Sequence, residues 1–176
     1  MPLIDVLKGL SCVLIVWHHL AFYGPMSDAA LPLAPQLIGW LYDYGRLAVQ
    51  VFLVVAGYLA ASGLAPRGTA RFEHPWAQIG RRYGRLATPY LLALAVSMLV
   101  AAAVRPWFSH ASVPDAPHLL QVLAHVLLLQ GLLGQDALSA GVWYIAIDFQ
   151  LFALTVLGLA LARWAQQHLR MAAPLG

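Results

Sequence analysis

The sequence predicts an all-α polytopic membrane bundle, with four spanning helices and one short re-entrant or interfacial helix. Three observations predict it. Hydrophobic residues make up 61% of the 176 residues and charged residues 10%, where soluble domains carry roughly 25% charged. Lipid must therefore cover much of the outside. Four apolar runs approach the roughly 20 residues that one bilayer crossing needs. The segments between them are dense in proline and glycine, which punctuate chains.

The first run covers about 2–23. Its stretch 10–22 has roughly the apolar length of a signal peptide, but it holds Trp17, His18 and His19 and no obvious small-x-small cleavage site follows. It reads as a retained helix. Gly24-Pro25, Pro32 and Pro35 mark the first connection. The second run covers 47–64, and Pro66, Gly68 and Pro75 follow it. The third covers 86–104 and meets Pro106, Pro114 and Pro117. A shorter apolar stretch, 119–133, carries His125 and Gln130. At about 15 residues it suits a re-entrant or interfacial helix better than a full crossing. The fourth run covers 142–162, and the tail 171–176 adds no further span. The length fits one membrane domain, 1–176.

Charge sets the orientation. Arg67, Arg71, Arg81, Arg82 and Arg85 all fall between the second and third runs. Positive residues collect in the cytoplasm, so the N-terminus is expected inside, with Lys8 near the inner surface. Arg46 and Arg105 then lie outside among Asp28, Asp43, Asp115 and Asp136, and the last span returns Arg163 and Arg170 to the cytoplasm. The count closes only if 119–133 does not cross. The net charge of +3 is modest, and no basic stretch interleaved with aromatics exists to track nucleic acid. Cys12 is the lone cysteine, which excludes an intrachain disulfide and a cysteine-based zinc site.

Ionisable groups inside spans are costly, which makes each a functional candidate. Lys8 and His19 are eleven positions apart. That is about three helical turns, so they share one face about 16 Å apart along the axis. A cation with an imidazole above it can serve an elongated anionic ligand, and imidazole suits proton transfer near neutral pH. The plainer reading has Lys8 snorkelling to the interface and the histidines in a polar patch between helices. Asp148, several residues into the fourth span on its outer side, needs a partner. A histidine of the first span is the expected one, its tautomer fixed by the acid. The plainer reading is a structural bond. Arg81 and Arg85 lie one turn apart beside Arg82. Together the three can bind phosphates at the cytoplasmic mouth or simply anchor the helix.

These residues resemble the acyltransferase type 3 family of integral membrane enzymes. The start, Ile4-Asp5-Val6-Leu7-Lys8-Gly9-Leu10 running to His19, resembles a first helix in which arginine or lysine is followed by ten residues and a histidine. The segment Gln50 to Leu59, with Ala56-Gly57-Tyr58, is similar to a second helix ending Ser-Gly-Phe or Ser-Gly-Tyr, although Ala56 replaces the serine. Arg81-Arg82-Tyr83-Gly84-Arg85-Leu86-Ala87-Thr88-Pro89-Tyr90 resembles the arginine-rich entry to the third helix. Trp143 to Phe152 resembles the Trp-Ser-Leu-x-x-Glu-x-x-Phe-Tyr segment, with Tyr144 for serine and Asp148 for glutamate.

The resemblance implies transfer of an acyl group, commonly acetyl, from acyl-CoA to a sugar or other cell-envelope acceptor. It implies the first-helix histidine, His19, as the catalytic residue. With the residue chemistry above, Asp148 joins it as catalytic, and Lys8, Arg81, Arg82, Arg85 and Trp143 are substrate-binding positions. No metal or permanently bound cofactor is expected, and acyl-CoA serves as donor substrate. The expected partners are that donor, the envelope acceptor and membrane lipid, with a homo-oligomer among the open arrangements. The expected location is a bacterial inner membrane. Family members commonly have about twice this length, so the chain reads as the N-terminal part of a longer fold.

Transfer is open between two routes: His19 as general base on the acceptor hydroxyl, or His19 carrying the acyl group itself. The alternative of another class is a non-catalytic membrane module or transporter subunit using His19 and Asp148 for a proton path or for packing. His118 and His125 share a helical face but lie about 10 Å apart, too far for one metal ion.

Overall fold

A computed structural model describes residues 1–23, 25–110 and 113–169. Arg170 and the tail after it lie outside the described residues. All regular structure among the described residues is helical: α1 (Pro2–Phe22), α2 (Pro25–Ala30), α3 (Pro35–Tyr44), α4 (Ala48–Leu64), α5 (Pro75–Val104), α6 (Leu119–Val126) and α7 (Val142–Leu169), with short 3-10 turns at Gly45–Leu47 and Pro66–Gly68. Four stretches are long and apolar enough to cross a membrane: Pro2–Phe22, Pro35–Leu64, Pro75–Val104 and Val142–His168. The expected all-α chain with four helices fit to span a membrane is what the structure shows. Each buries only 11% to 22% of its apolar window within the chain, so most of that surface is left for lipid or further protein.

The second stretch is longer than the apolar run 47–64 suggested. Pro35 stands in the first helical turn of α3, where its missing N–H costs nothing and its fixed φ suits a helix. It starts a helix where the sequence suggested a connection. The 3-10 turn Gly45–Leu47 then carries α3 into α4.

The chain divides into two compact units, Met1–Ala56 with Val104–Pro114, and Gly57–Ala103 with Asp115–Gly176. In the first unit α1 packs on α3. Ser11 and His18 are buried on α1, with Ile4 and Ile15 half-buried on the same stripe. The opposite side, Leu3, Val6, Leu10, Val13, Trp17 and Leu20, is exposed and apolar at three- and four-residue spacing, as expected of a face meeting lipid. At 100° per residue, His19 lies about 70° from the centre of the buried stripe and about 150° from the exposed one.

In the second unit α5 and α7 run antiparallel. Arg163 Nη1 donates to the Phe72 carbonyl at 2.8 Å, Arg82 meets Asp148, and Ser97 meets Ser139 at 3.2 Å. Residue numbers rise along one partner as they fall along the other. Tyr90, Leu94, Leu128, Leu138, Val142 and Ala146 form one core, and Leu64, Phe72 and Val156 another.

Between α5 and α7 the chain makes a short hairpin. α6 has 8 residues, about 12 Å of rise against a hydrocarbon core of about 30 Å. It cannot cross, as its length in the sequence suggested. Beyond it the backbone turns at Leu128, which is fully buried at φ +57°. Side chains then satisfy the freed backbone. Tyr83 Oη donates to Val126 O at 2.8 Å, Gln150 Nε2 to Leu128 O at 2.7 Å, Gln130 Nε2 to Val142 O at 3.2 Å and Gln121 Nε2 to Asp136 O at 2.9 Å. Non-helical backbone is tolerated at membrane depth only where protein supplies such partners.

Candidate functional site

The two units carry different candidates. In the first, α1 places two imidazoles side by side, and the structure gives them different tasks. His18 is 6% exposed. Its Nδ1–H donates to the Leu41 carbonyl at 2.8 Å, tying α1 to α3. Gly45 lies against it so closely that a Cβ there would come within 2.8 Å of the His18 Cβ. His18 is thus committed to packing.

His19 is not committed. Its Nδ1 is buried without a hydrogen-bond partner among the described residues. Its ring stacks on Tyr23, centroids 5.5 Å apart, and lies 5.6 Å from the His18 ring. Lys8, exposed on the same flank of α1, makes no ion pair among the described residues; the α1 ion pair there joins the terminal amine to Asp5 at 3.5 Å. Beyond His19, the end of α1 remote from Lys8 opens into a cleft of about 560 Å³ lined by Phe22, Tyr23, Asp28, Tyr42 and His110, among others.

In the second unit Arg82 Nη2 donates to Asp148 Oδ2 at 2.7 Å. The Arg82 side chain is 32% exposed and that of Asp148 9%. The guanidinium carbon also lies 5.1 Å from the Phe152 ring centroid, within cation–π range. Arg82 Nε is buried without a partner. Arg81 and Arg85 are exposed. Trp143 is 43% exposed and sits edge-on to Tyr144, 6.5 Å between centroids.

This ion pair corrects two expectations, the partner of Asp148 and the depth of Arg82 relative to it. Asp148 finds an arginine where a first-span histidine was expected. Arg82 reaches that carboxylate through Nη2, and Arg81 and Arg85 stay exposed beside it. Arg82 and Asp148, expected at the inner surface and in the outer half of the membrane, lie at one depth. The physical reason is length. α5 has 30 residues and α7 has 28, about 45 and 42 Å of rise, longer than the bilayer core. Apolar windows do not fix where such helices sit, and a paired charge enters the interior at far lower cost than a lone one.

Sequence reasoning singled out His125 and Gln130 only as polar interruptions. The structure shows their work. His125 is fully buried; its Nδ1–H donates to Gln121 O at 2.8 Å, and its Nε2 accepts from Leu138 N at 3.2 Å. Both nitrogens are used and the tautomer is fixed. The signal in the sequence was a polar pair inside a run too short to cross. His118 Nδ1 caps α6 by accepting from Gln121 N at 3.1 Å. Among the described residues no group of side chains could hold a metal ion.

The order of these features, cation to imidazole on α1 and an arginine-rich entry to α5, matches one known pattern over nearly all the chain. The model of the acyltransferase domain family matches residues 2–173. The chain belongs to the acyltransferase type 3 family. No curated protein and no solved structure matches it. Family membership and four apolar helices make it a multi-pass membrane protein, and the family supports a membrane acyltransferase in general.

Proposed function

We propose that this acyltransferase moves an acyl group, acetyl in the simplest case, from acyl-CoA to a hydroxyl of a sugar or other cell-envelope acceptor. One observation carries the assignment of the reacting group. Of two adjacent imidazoles, His18 is locked to Leu41 O while His19 keeps Nδ1 unbonded. His18 is held by that bond as a strut between α1 and α3, whereas no hydrogen bond among the described residues fixes the His19 ring, which supports His19 as the group that gains and loses a proton.

His19 takes the proton of the acceptor hydroxyl as its oxygen attacks the thioester carbonyl. The C–S bond then breaks, and the imidazolium returns the proton to the leaving CoA thiolate. Lys8, about 16 Å along the axis, holds donor phosphates at the other end of an extended pantetheine arm. In the second unit, Arg81 and Arg85 are exposed cations of the same kind, and Trp143 offers an exposed aromatic surface to substrate. Asp148 serves as a positioning residue that holds Arg82. The N-terminus lies in the cytoplasm of a bacterial inner membrane in this reading, which the exposed cations Arg67, Arg71, Arg81 and Arg85 support.

The test is acyl transfer from labelled acetyl-CoA to a sugar acceptor by the full chain in proteoliposomes. His19→Ala should lower the rate by at least about 100-fold, the scale of a lost general base, and leave the helix content unchanged. A His19→Ala chain as fast as the parent would overturn the assignment. Transport driven by a proton gradient, with no acceptor-dependent thioester turnover, would replace the enzyme with a transporter subunit.

A further inference from the structure

The cleft at the end of α1 is not used by any residue assigned above. It belongs wholly to the first unit, drawing on α1, α2, α3 and the segment after α5. Its volume of about 560 Å³ falls within the roughly 300–1,000 Å³ of small-ligand sites. Phe22 and Tyr42 stack there, centroids 4.8 Å apart and rings 23° from parallel. Tyr23 stands edge-on to Phe22, 4.9 Å between centroids, and the three rings give the cleft an aromatic wall. Asp28 supplies an exposed carboxylate that makes no ion pair among the described residues. Neither lysine nor arginine lines the cleft among the described residues.

We infer that this cleft is the acceptor subsite and that it selects neutral polyhydroxylated rings over anionic ones. The inference rests on the acyl-transfer reading and adds a substrate class to it. An aromatic surface suits the C–H face of a sugar ring through burial and dispersion. A carboxylate accepts hydrogen bonds from neighbouring hydroxyls, and such charge-assisted bonds are the strong ones. The same carboxylate repels a uronate or other acidic sugar, with neither lysine nor arginine among the described lining residues to offset it. Tyr23 links cleft and chemistry, since its ring lines the one and stacks on His19 at 5.5 Å. The cleft begins at Ala21 and Phe22, 13 or 14 positions beyond Lys8, about 20 Å along the axis. Donor anchor and acceptor subsite thus occupy opposite ends of α1, with His19 between them.

Binding can be read without turnover. The full chain in nanodiscs would be titrated with a neutral methyl hexoside and with the matching methyl hexuronide, followed by saturation-transfer NMR. The neutral ring should bind at least tenfold tighter than the uronide. Asp28→Asn should narrow that ratio, Asp28→Lys should reverse it, and Tyr42→Ala should weaken both. Equal binding of the two sugars, no binding of either, or Asp28 and Tyr42 variants that change nothing would overturn the inference. So would displacement of the sugar by tetramethylammonium at lower concentration than by the free hexose, which would mark a quaternary-ammonium headgroup site. His19→Ala separates the two claims. Retained transfer in that variant sinks the catalytic assignment and leaves the binding result standing. Lost transfer with unchanged, charge-blind binding sinks the subsite alone.

Discussion

Asp148→Asn offers the sharpest probe of the second unit. It leaves the Arg82 guanidinium with the Phe152 ring at 5.1 Å and no counter-ion in contact. Removing one partner of a buried pair costs about 3–5 kcal/mol, because the remaining charge stays uncompensated. Arg82 is 32% exposed and Asp148 9%, so the cost should fall near the lower end, about 3 kcal/mol. Arg82→Met should cost a similar amount. Replacing both, Arg82→Met with Asp148→Leu, removes both desolvation penalties together and should lie within about 1 kcal/mol of the parent. The cycle should therefore show non-additivity of at least about 2 kcal/mol. Reversible unfolding in mixed micelles at increasing denaturing-detergent fraction, followed by far-UV circular dichroism, measures all four proteins. Single variants within about 0.5 kcal/mol of the parent, or a double variant equal to the sum of the singles, would refute an ion pair that bolts α5 to α7.

The remaining predictions separate packing from chemistry. His18→Ala should destabilise the first unit by about 1 kcal/mol or more through the lost α1–α3 hydrogen bond to Leu41 O, which keeps its bond from Gly45 N, and the lost packing of a buried ring, measured by the same unfolding, whereas His19→Ala should leave the transition in place. Gly45→Ala pushes a Cβ to 2.8 Å from the His18 Cβ and should cost about 1–3 kcal/mol as overpacking. Gln150→Ala and Tyr83→Phe each free one carbonyl of the hairpin, Leu128 O or Val126 O. Each should cost about 1–3 kcal/mol, with faster hydrogen exchange confined to the hairpin and the adjoining helix ends. Lys8→Ala should raise the donor KM at least tenfold while the acceptor KM stays constant, read from initial rates at varied acyl-CoA.

The fold was largely legible because lipid imposes one strong rule, that backbone groups pair internally over a fixed thickness. Apolar length alone placed α1, α4, α7 and the part of α5 from Leu86 onward, missing the arginine-bearing start of α5 at Pro75, and it placed 119–133 among the segments that do not cross. What it missed were features set by tertiary contact. The start at Pro35 was read as a break because Gln36, Asp43 and Pro35 dilute the apolar signal before α4, yet packing on α1 holds that segment helical. The Arg82–Asp148 pair joins residues 66 positions apart, and no periodicity within either helix encodes the stagger that brings them to one depth. For the site, spacing placed Lys8 and His19 on one flank of α1, and the structure keeps them on it. Spacing could not say which of two neighbouring imidazoles is spent on a carbonyl.

That distinction separates the two kinds of polar residue in this chain. Any polar group inside a membrane invites a functional reading, and by that rule His125, Gln130, Gln150, Tyr83 and His18 are as good as His19. Counting bonds removes them. Both His125 nitrogens, Gln150 Nε2, Gln130 Nε2, Tyr83 Oη and His18 Nδ1 are each bonded to the backbone of another segment or turn. These bonds give each of those side chains a structural task, in the hairpin, within α6 or at the α1–α3 contact. A few buried polar atoms remain. Tyr90 and Gln130 are buried together in the second unit, where their side chains interact with each other, and Arg82 Nε lies beside its ion pair. His19 Nδ1 alone among them belongs to an imidazole, on the helix that carries an unpaired cation at one end and a cleft at the other. The catalytic assignment rests on that inventory of satisfied and unsatisfied groups, which no spacing argument could supply.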